Sequence, residues 1–425
     1  MNLRILFSGL LLLLLSAALP HRVESYSDLK KLFESKKYFE LRDSLEKETS
    51  EDSPLILFLK GAVSNKFNQL DKSISYIKKY IDIAGNNSNA EYMTESYDIL
   101  ADNYVKSYQY KKAAESYQVI LDRFTSFLGK EKIEDIRNSV RLWKAFSEVP
   151  PQSVSLKGDT KIKTKKDKVG LTNIPVEING NKLDFIFDTG AGISSITKSY
   201  ARILNFKIVD DSIAVNAFTG NTVYASLGIA PAIKIGNVVI ENSVFLVFND
   251  SDLSVPSFNY QCNGIIGFPV IESLGEVTLT RTDSLIIPEK AGRHMLQNMC
   301  LSGLSPIILG EFDGKKLSFN LDTGAKNSVL YQSFFRNYEQ SIKENSEMQT
   351  KELAGAGGSR KLTVYRLKNF NLNISGRNAG LGQVTVLTEP LDENNQYFYG
   401  NLGQDIIGQF DRMTLNFETM SLILE

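Results

Sequence analysis

One stretch of this chain is written twice. "EINGNKLDFIFDTGAGISSI" begins at Glu177, and "EFDGKKLSFNLDTGAKNSVL" begins at Glu311, an offset of 134 residues. Gly180 meets Gly314, Leu183 meets Leu317, Phe185 meets Phe319 and Asp188 meets Asp322. A second pair of segments follows at an offset of 136: "NGIIGFPVIESLGEVTLT" from Asn263 and "YGNLGQDIIGQFDRMTLN" from Tyr399. Here Gly264 matches Gly400, Gly267 matches Gly403, Leu274 matches Phe410 and Thr278 matches Thr414. Between the anchors each copy has a glycine-bearing hairpin. One is "AFTGNTVY" near Gly220 and the other is "AGAGGSRKLTVY" near Gly357; they end at Tyr224 and Tyr365. Short alternating apolar runs broken by Gly, Asn and Asp predict strands joined by tight turns. The chain beyond residue 169 is therefore expected to fold as two β lobes related by a pseudo-two-fold axis.

Such an axis would bring the two Asp-Thr-Gly turns face to face. Two carboxylates a few ångströms apart cannot both ionise comfortably, so the pair shares one proton. The ionised member can then take a proton from a held water, and the protonated member can donate to a substrate oxygen. Gly190 and Gly324 allow the tight approach. Thr189 and Thr323 can hydrogen-bond across the interface and fix the loop separation. The hairpins around Gly220 and Gly357, with Tyr224 and Tyr365, are flap candidates that could close over an extended chain.

Other chemistries find little material. His21 and His294 are the only histidines, and Cys262 and Cys300 the only cysteines. A nucleophile–His centre would rest on His294 alone, and a His-rich zinc site cannot be assembled. Whether Cys262 and Cys300 form a disulfide or stay separate is open at this point. Asp210 with Asp211, and Asn249 to Asp252, read as solvated loops rather than calcium ligands. No metal and no cofactor is called for. With 48 Lys+Arg against 49 Asp+Glu, no basic field favours nucleic acid.

The front of the chain is different. "MNLRILFSGLLLLLLSAALP" has one Arg, a short Leu run and small residues, the layout of a cleaved secretory leader over 1–22. The run is shorter than the ~20 residues of a membrane span, so no transmembrane helix is expected in the mature chain, and export to a periplasm or the medium follows. Residues 26–148 show helical periodicity. The segments from Phe58 and from Ile99 overlay at an offset of 41, with Leu59 on Leu100, Phe67 on Tyr108 and Tyr76 on Tyr117. These helix–turn–helix units resemble tetratricopeptide repeats of about 34 residues, the polar insert at Gly85 accounting for the excess. That likeness implies a platform for a protein partner. "VPPQSVSLKGDTKIKTKKDK" then closes the helices with two prolines. Residues 149–168 read as a solvated linker or an edge strand.

"FDTGA" with "NGIIG", and "LDTGA" with "GNLG", resemble the aspartic peptidases of the pepsin and retropepsin group. The likeness spans both halves, lobe 1 at 169–290 and lobe 2 at 300–425. It implies a multidomain chain, all-α helical repeats followed by an all-β bilobal double barrel. It also implies Asp188 and Asp322 as a catalytic dyad and a peptide or protein as substrate. Asp-Thr-Gly-Ala is the retropepsin form, yet the duplication lets one chain supply both lobes. The competing reading is an exported binding module that holds peptide or glycan on the same scaffold without cutting it. Pro269 stands in lobe 1 where lobe 2 has Asp405, so the short helix there is expected to start differently.

Overall fold

The computed structural model describes residues 25–48, 53–85, 89–216, 222–255, 259–355, 358–391 and 396–425. The leader 1–22 and the hairpin-tip glycines Gly220 and Gly357 lie outside the described residues.

The chain is multidomain, helical first and β-rich after. Ahead of the strands, among the described residues, seven helices run α1 (Tyr26–Glu34), α2 (Tyr38–Leu45), α3 (Pro54–Lys66), α4 (Leu70–Ala84), α5 (Ala90–Lys106), α6 (Tyr110–Arg123) and α7 (Lys130–Ala145). Ser25 opens α1 with a reciprocal Ser–Asp28 capping box, and Pro54 occupies the first turn of α3. The first six form three hairpins with the same turn. Lys36, Asn68 and Tyr108 each adopt positive φ, at 51°, 57° and 57°. The N–H groups of Lys37, Gln69 and Gln109 then return to the carbonyls of Leu32, Ser64 and Tyr104. Asn68 and Tyr108 are thus the equivalent turn residues. The overlay of Phe67 on Tyr108 is off by one, because an amphipathic helix tolerates a one-residue slip that a turn does not.

The aromatic stripes of these helices point inward. Phe58 packs against Phe33, Tyr80 and Tyr92, and Trp143 stacks on Tyr110 at 5.3 Å. Gly61 is where α3 and α4 touch: a Cβ there would lie 2.6 Å from Ile77 Cδ1. Gly61→Val is expected to destabilise the helical region by about 1–3 kcal/mol through overpacking. Trp143 is the chain's one tryptophan, so urea unfolding followed by its fluorescence reads that loss directly.

Beyond residue 150 the described strands form two large sheets, a shared one and a small two-stranded ribbon. In lobe 1 the strands Thr172–Ile178 and Asn181–Phe187 form a hairpin, and in lobe 2 Ser305–Phe312 and Lys315–Leu321 repeat it. Their turns are Asn179-Gly180 and Asp313-Gly314, with all four residues at positive φ between 50° and 75°. That is why Asn/Asp-Gly recurs at both sites. Each second hairpin strand then lies parallel to a later strand. Phe187 registers with Ile266, and Leu321 with Leu402.

The third sheet joins the lobes. Glu276–Thr280 of lobe 1 pairs antiparallel with Arg412–Asn416 of lobe 2, Thr278 facing Thr414. Their hydroxyls meet at 2.7 Å. Residues at matching places in the two similar segments thus touch each other, the contact expected about a pseudo-two-fold axis. The Lys-rich stretch after the helices supplies edge strands. Ser153–Leu156 pairs with Val238–Glu241, and Thr160–Lys163 pairs with Ser284–Ile287 in the joining sheet. A core fragment therefore has to start ahead of Ser153.

The helices dock on the β region at the departure from symmetry. Lobe 2 ties Asp405 to the N–H and hydroxyl of Ser328. Lobe 1 has Pro269 there, and its carbonyl accepts from Tyr108 Oη at 3.1 Å and Gln152 Nε2 at 3.0 Å. Asn68 and Tyr108 also donate to the Glu272 carboxylate. The two short helices, Phe268–Glu272 and Gln404–Ile407, nonetheless both start after a glycine. Elsewhere Arg42 reaches Gln297 O between the lobes, and Asn138 of α7 donates to Ala214 O at 2.6 Å on the strand Lys207–Asn216.

Candidate active site

Both Asp-Thr-Gly turns sit at strand ends held by the parallel neighbour. Asp188 N–H donates to Ile266 O and Asp322 N–H to Leu402 O, each at 3.0 Å. The turns face each other. Thr189 N–H donates to Thr323 Oγ1 at 3.0 Å, and Thr323 N–H to Thr189 Oγ1 at 3.1 Å. Each hydroxyl in turn donates 2.7 Å to the opposite lobe's carbonyl, Leu321 O or Phe187 O. Both threonines are fully buried. Four hydrogen bonds, two from each side, thus fix the distance between the lobes at this point.

The glycines admit the opposing carboxyls. A Cβ on Gly190 would stand 2.6 Å from Asp322 Cγ, and one on Gly324 would stand 2.2 Å from Asp188 Cγ. No side chain larger than hydrogen fits at either place. Asp188 Oδ1 accepts from the N–H groups of Gly190 (2.8 Å) and Ala191 (3.1 Å). Asp322 Oδ1 accepts from Gly324 N–H at 2.9 Å, and its Oδ2 accepts from Asn401 Nδ2 at 2.8 Å.

The two carboxyls lie within hydrogen-bond reach of each other, enclosed by protein yet partly open to solvent. Burial, then the charge of Asp322, pushes Asp188 well above the usual carboxylate range, against the pull of the Gly190 and Ala191 N–H groups. Burial also raises Asp322, offset by Asn401 and Gly324. The pair therefore holds its shared proton to higher pH than isolated carboxylates do.

This raised affinity has a sign for stability. A carboxyl whose folded pKa lies above its unfolded value contributes stability below the unfolded pKa and loses it as pH rises through the folded one. Asp188→Asn mimics the neutral acid: its oxygen can accept the turn N–H groups and its NH₂ can face Asp322. The variant is expected to be more stable than the parent at neutral pH, with the gap closing below about pH 4. Urea midpoints at the two pH values check it.

The remaining sequence candidates fall elsewhere. Tyr224 lies on the strand Thr222–Ile229 opposite Ala214 and is 62% exposed. Tyr365 instead stacks on Phe335 at 5.5 Å. The two Val-Tyr counterparts are thus used differently. Cys262 and Cys300 are both free and buried, which corrects the disulfide alternative. Cys262 bonds to Gly264 O in lobe 1 near Asp188, whereas Cys300 lies in lobe 2 beside charges from the helices. Burial pushes each thiol up to about 12. His294 pairs with Glu276. Asp250 caps the Ser199 N–H. Asp210 and Asp211 lie on the strand Lys207–Asn216. Among the described residues no group of three or more His, Cys, Asp or Glu is arranged to hold a metal. No helix among them is long and apolar enough to cross a membrane.

Sequence reasoning missed Asn401. The signal was present, since "GNLG" in the second copy stands against "GIIG" in the first.

Two β lobes facing through paired Asp-Thr-Gly turns, each backed by a parallel strand, define an aspartic-peptidase-like domain. An aspartyl protease family model matches residues 174–270, the Asp188 lobe. No curated protein matches the chain.

Proposed function

We propose that this chain is an aspartic endopeptidase that hydrolyses peptide bonds with a water held between Asp188 and Asp322. The observation that carries the reading is the meeting of two carboxyls, one from each copied lobe, across a hydroxyl-locked pair of turns. A lone surface carboxylate needs no such frame. One member takes the water's proton as its oxygen adds to the carbonyl carbon, and the other protonates the carbonyl oxygen. The N–H donors and the apolar strands ending at Phe187 and Leu321 hold the pair in place. All donors come from the chain itself.

The leader-like residues 1–22 support an exported enzyme acting in a periplasm or outside the cell. The helical region is proposed to serve the same reaction. It sits on lobe 1 through Glu272 and Pro269, and it touches the hairpin strand Lys207–Asn216 through Asn138.

The test is incubation of the full chain with an unstructured protein from acidic to neutral pH, with and without a chelator. Cleavage that survives the chelator is expected. Binding of the protein without cleavage at any pH would favour the non-catalytic module instead.

A further inference from the structure

The strands that carry the two carboxyls differ in polarity at one register position. In lobe 1 the parallel strands place Ile186 beside Ile265; in lobe 2 they place Asn320 beside Asn401. Asn401 is 6% exposed, and its amide donates to Asp322 Oδ2 at 2.8 Å. Asp322 Oδ1 takes the Gly324 N–H. Both oxygens of Asp322 thus accept hydrogen bonds from fixed donors. The turn donors to Asp188, Gly190 and Ala191, both converge on Oδ1. An ionised carboxylate is acceptor-only, whereas a neutral carboxyl keeps one oxygen for its own proton. Ile265 offers no donor where Asn401 offers one, so Asp188 Oδ2 remains the place for that proton.

We propose that Asn401 is a positioning residue that breaks the symmetry of the pair, holding Asp322 as the anion and leaving the shared proton on Asp188. This rests on the peptidase reading and assigns the roles within it. Asp322 takes a proton from water as the new C–O bond forms. The carbonyl π pair moves to oxygen, which takes the proton of Asp188. In the collapse of the resulting gem-diol, Asp322 gives its proton to the departing nitrogen as the C–N bond breaks. A gem-diol hydroxyl returns a proton to Asp188, and the starting state is restored.

Four sets of polar and charged groups lie around the pair. The Gly190, Ala191, Gly324 and Ala325 N–H groups belong to the turns. The Cys262 thiol, held protonated by burial, faces Asp188, and Asp167 stands behind it, bonded by Tyr260. Lys166 is tied to Gln404 Oε1, and the Gln404 amide donates to Thr323 O. Lys326 lies against Gly170. These groups remain when Asn401 is changed.

The experiment compares kcat/KM against pH for the full chain, for Asn401→Ile, and for the swap Asn401→Ile with Ile265→Asn. Loss of the donor destabilises the singly ionised pair, so the acidic limb should move up by about one pH unit, a tenfold change in proton affinity. The swap, which offers a donor to Asp188 instead, should bring the limb back. Carboxyl carbon NMR of labelled aspartate in the unsubstituted chain supplies a readout independent of turnover. Between the two ionisations it should show Asp188 protonated and Asp322 ionised. A limb that stays in place while the plateau falls, or two carboxyls that titrate alike, would overturn the role of Asn401. An unsubstituted chain that cleaves nothing would sink the peptidase reading, and the NMR would still decide the placement of the proton. If Asn401→Ile does not fold, the NMR of the unsubstituted chain decides alone.

Discussion

Asp188→Asn is expected to lower kcat/KM for peptide hydrolysis by about 10³-fold or more while leaving the fold intact. The size follows from what the change removes. Asparagine can fill the place of the neutral acid, accepting from Gly190 and Ala191 and facing Asp322. It cannot pass a proton to a carbonyl oxygen or receive one back. Each turnover needs both transfers, so neither half of the reaction can proceed through this residue. The intact fold is checked by circular dichroism and by the neutral-pH gain in stability argued above. Residual activity above a tenth of the parent's would place the chemistry elsewhere.

The second large effect concerns the threonines. Thr189→Val removes one hydroxyl and strands two buried groups in the opposite lobe, the Thr323 N–H and the Leu321 carbonyl. Unsatisfied buried groups cost about 1–3 kcal/mol each, so a loss of about 2–5 kcal/mol is expected in urea unfolding. Activity should fall as well, because these bonds set the spacing of the carboxyls. Thr189→Ser keeps the hydroxyl and should retain most of the stability and activity. A serine variant as damaged as the valine one would mean that the methyl group, not the hydrogen bonding, matters here.

The β half was readable because its constraints are local and absolute. Asn179-Gly180 and Asp313-Gly314 need positive φ at both turn positions, and few residue pairs supply it. Gly190 and Gly324 face an opposing carboxyl at a distance that excludes any Cβ. Such requirements leave the same letters in both copies, which made the pseudo-axis visible before any coordinates. The helical half was readable only as helix. Its repeats align within one residue, because the turn at Asn68 and Tyr108 takes side chains as different as an amide and a phenol.

What escaped the sequence depends on long-range placement. Nothing local announces that Pro269 would receive Tyr108 from a helix hairpin, nor which strands the Lys-rich stretch, read as a linker or an edge strand, would pair with. A Cys262–Cys300 disulfide stayed open only while their lobes were unplaced. Asn401 stands where the first copy has Ile265, and nothing local says why. Its meaning appeared once the parallel register set it against the Asp322 strand.

The most direct test of the central claim is active-site titration with a peptide isostere carrying a tetrahedral hydroxyl, which imitates the hydrated transition state. With the chain well above the inhibitor's dissociation constant, hydrolysis should fall linearly to zero at one inhibitor per chain, and Asp188→Asn should not add to the loss. An end point of one inhibitor per two chains would contradict a site built from Asp188 and Asp322 of the same chain. Hydrolysis untouched by the isostere would contradict the paired carboxyls altogether.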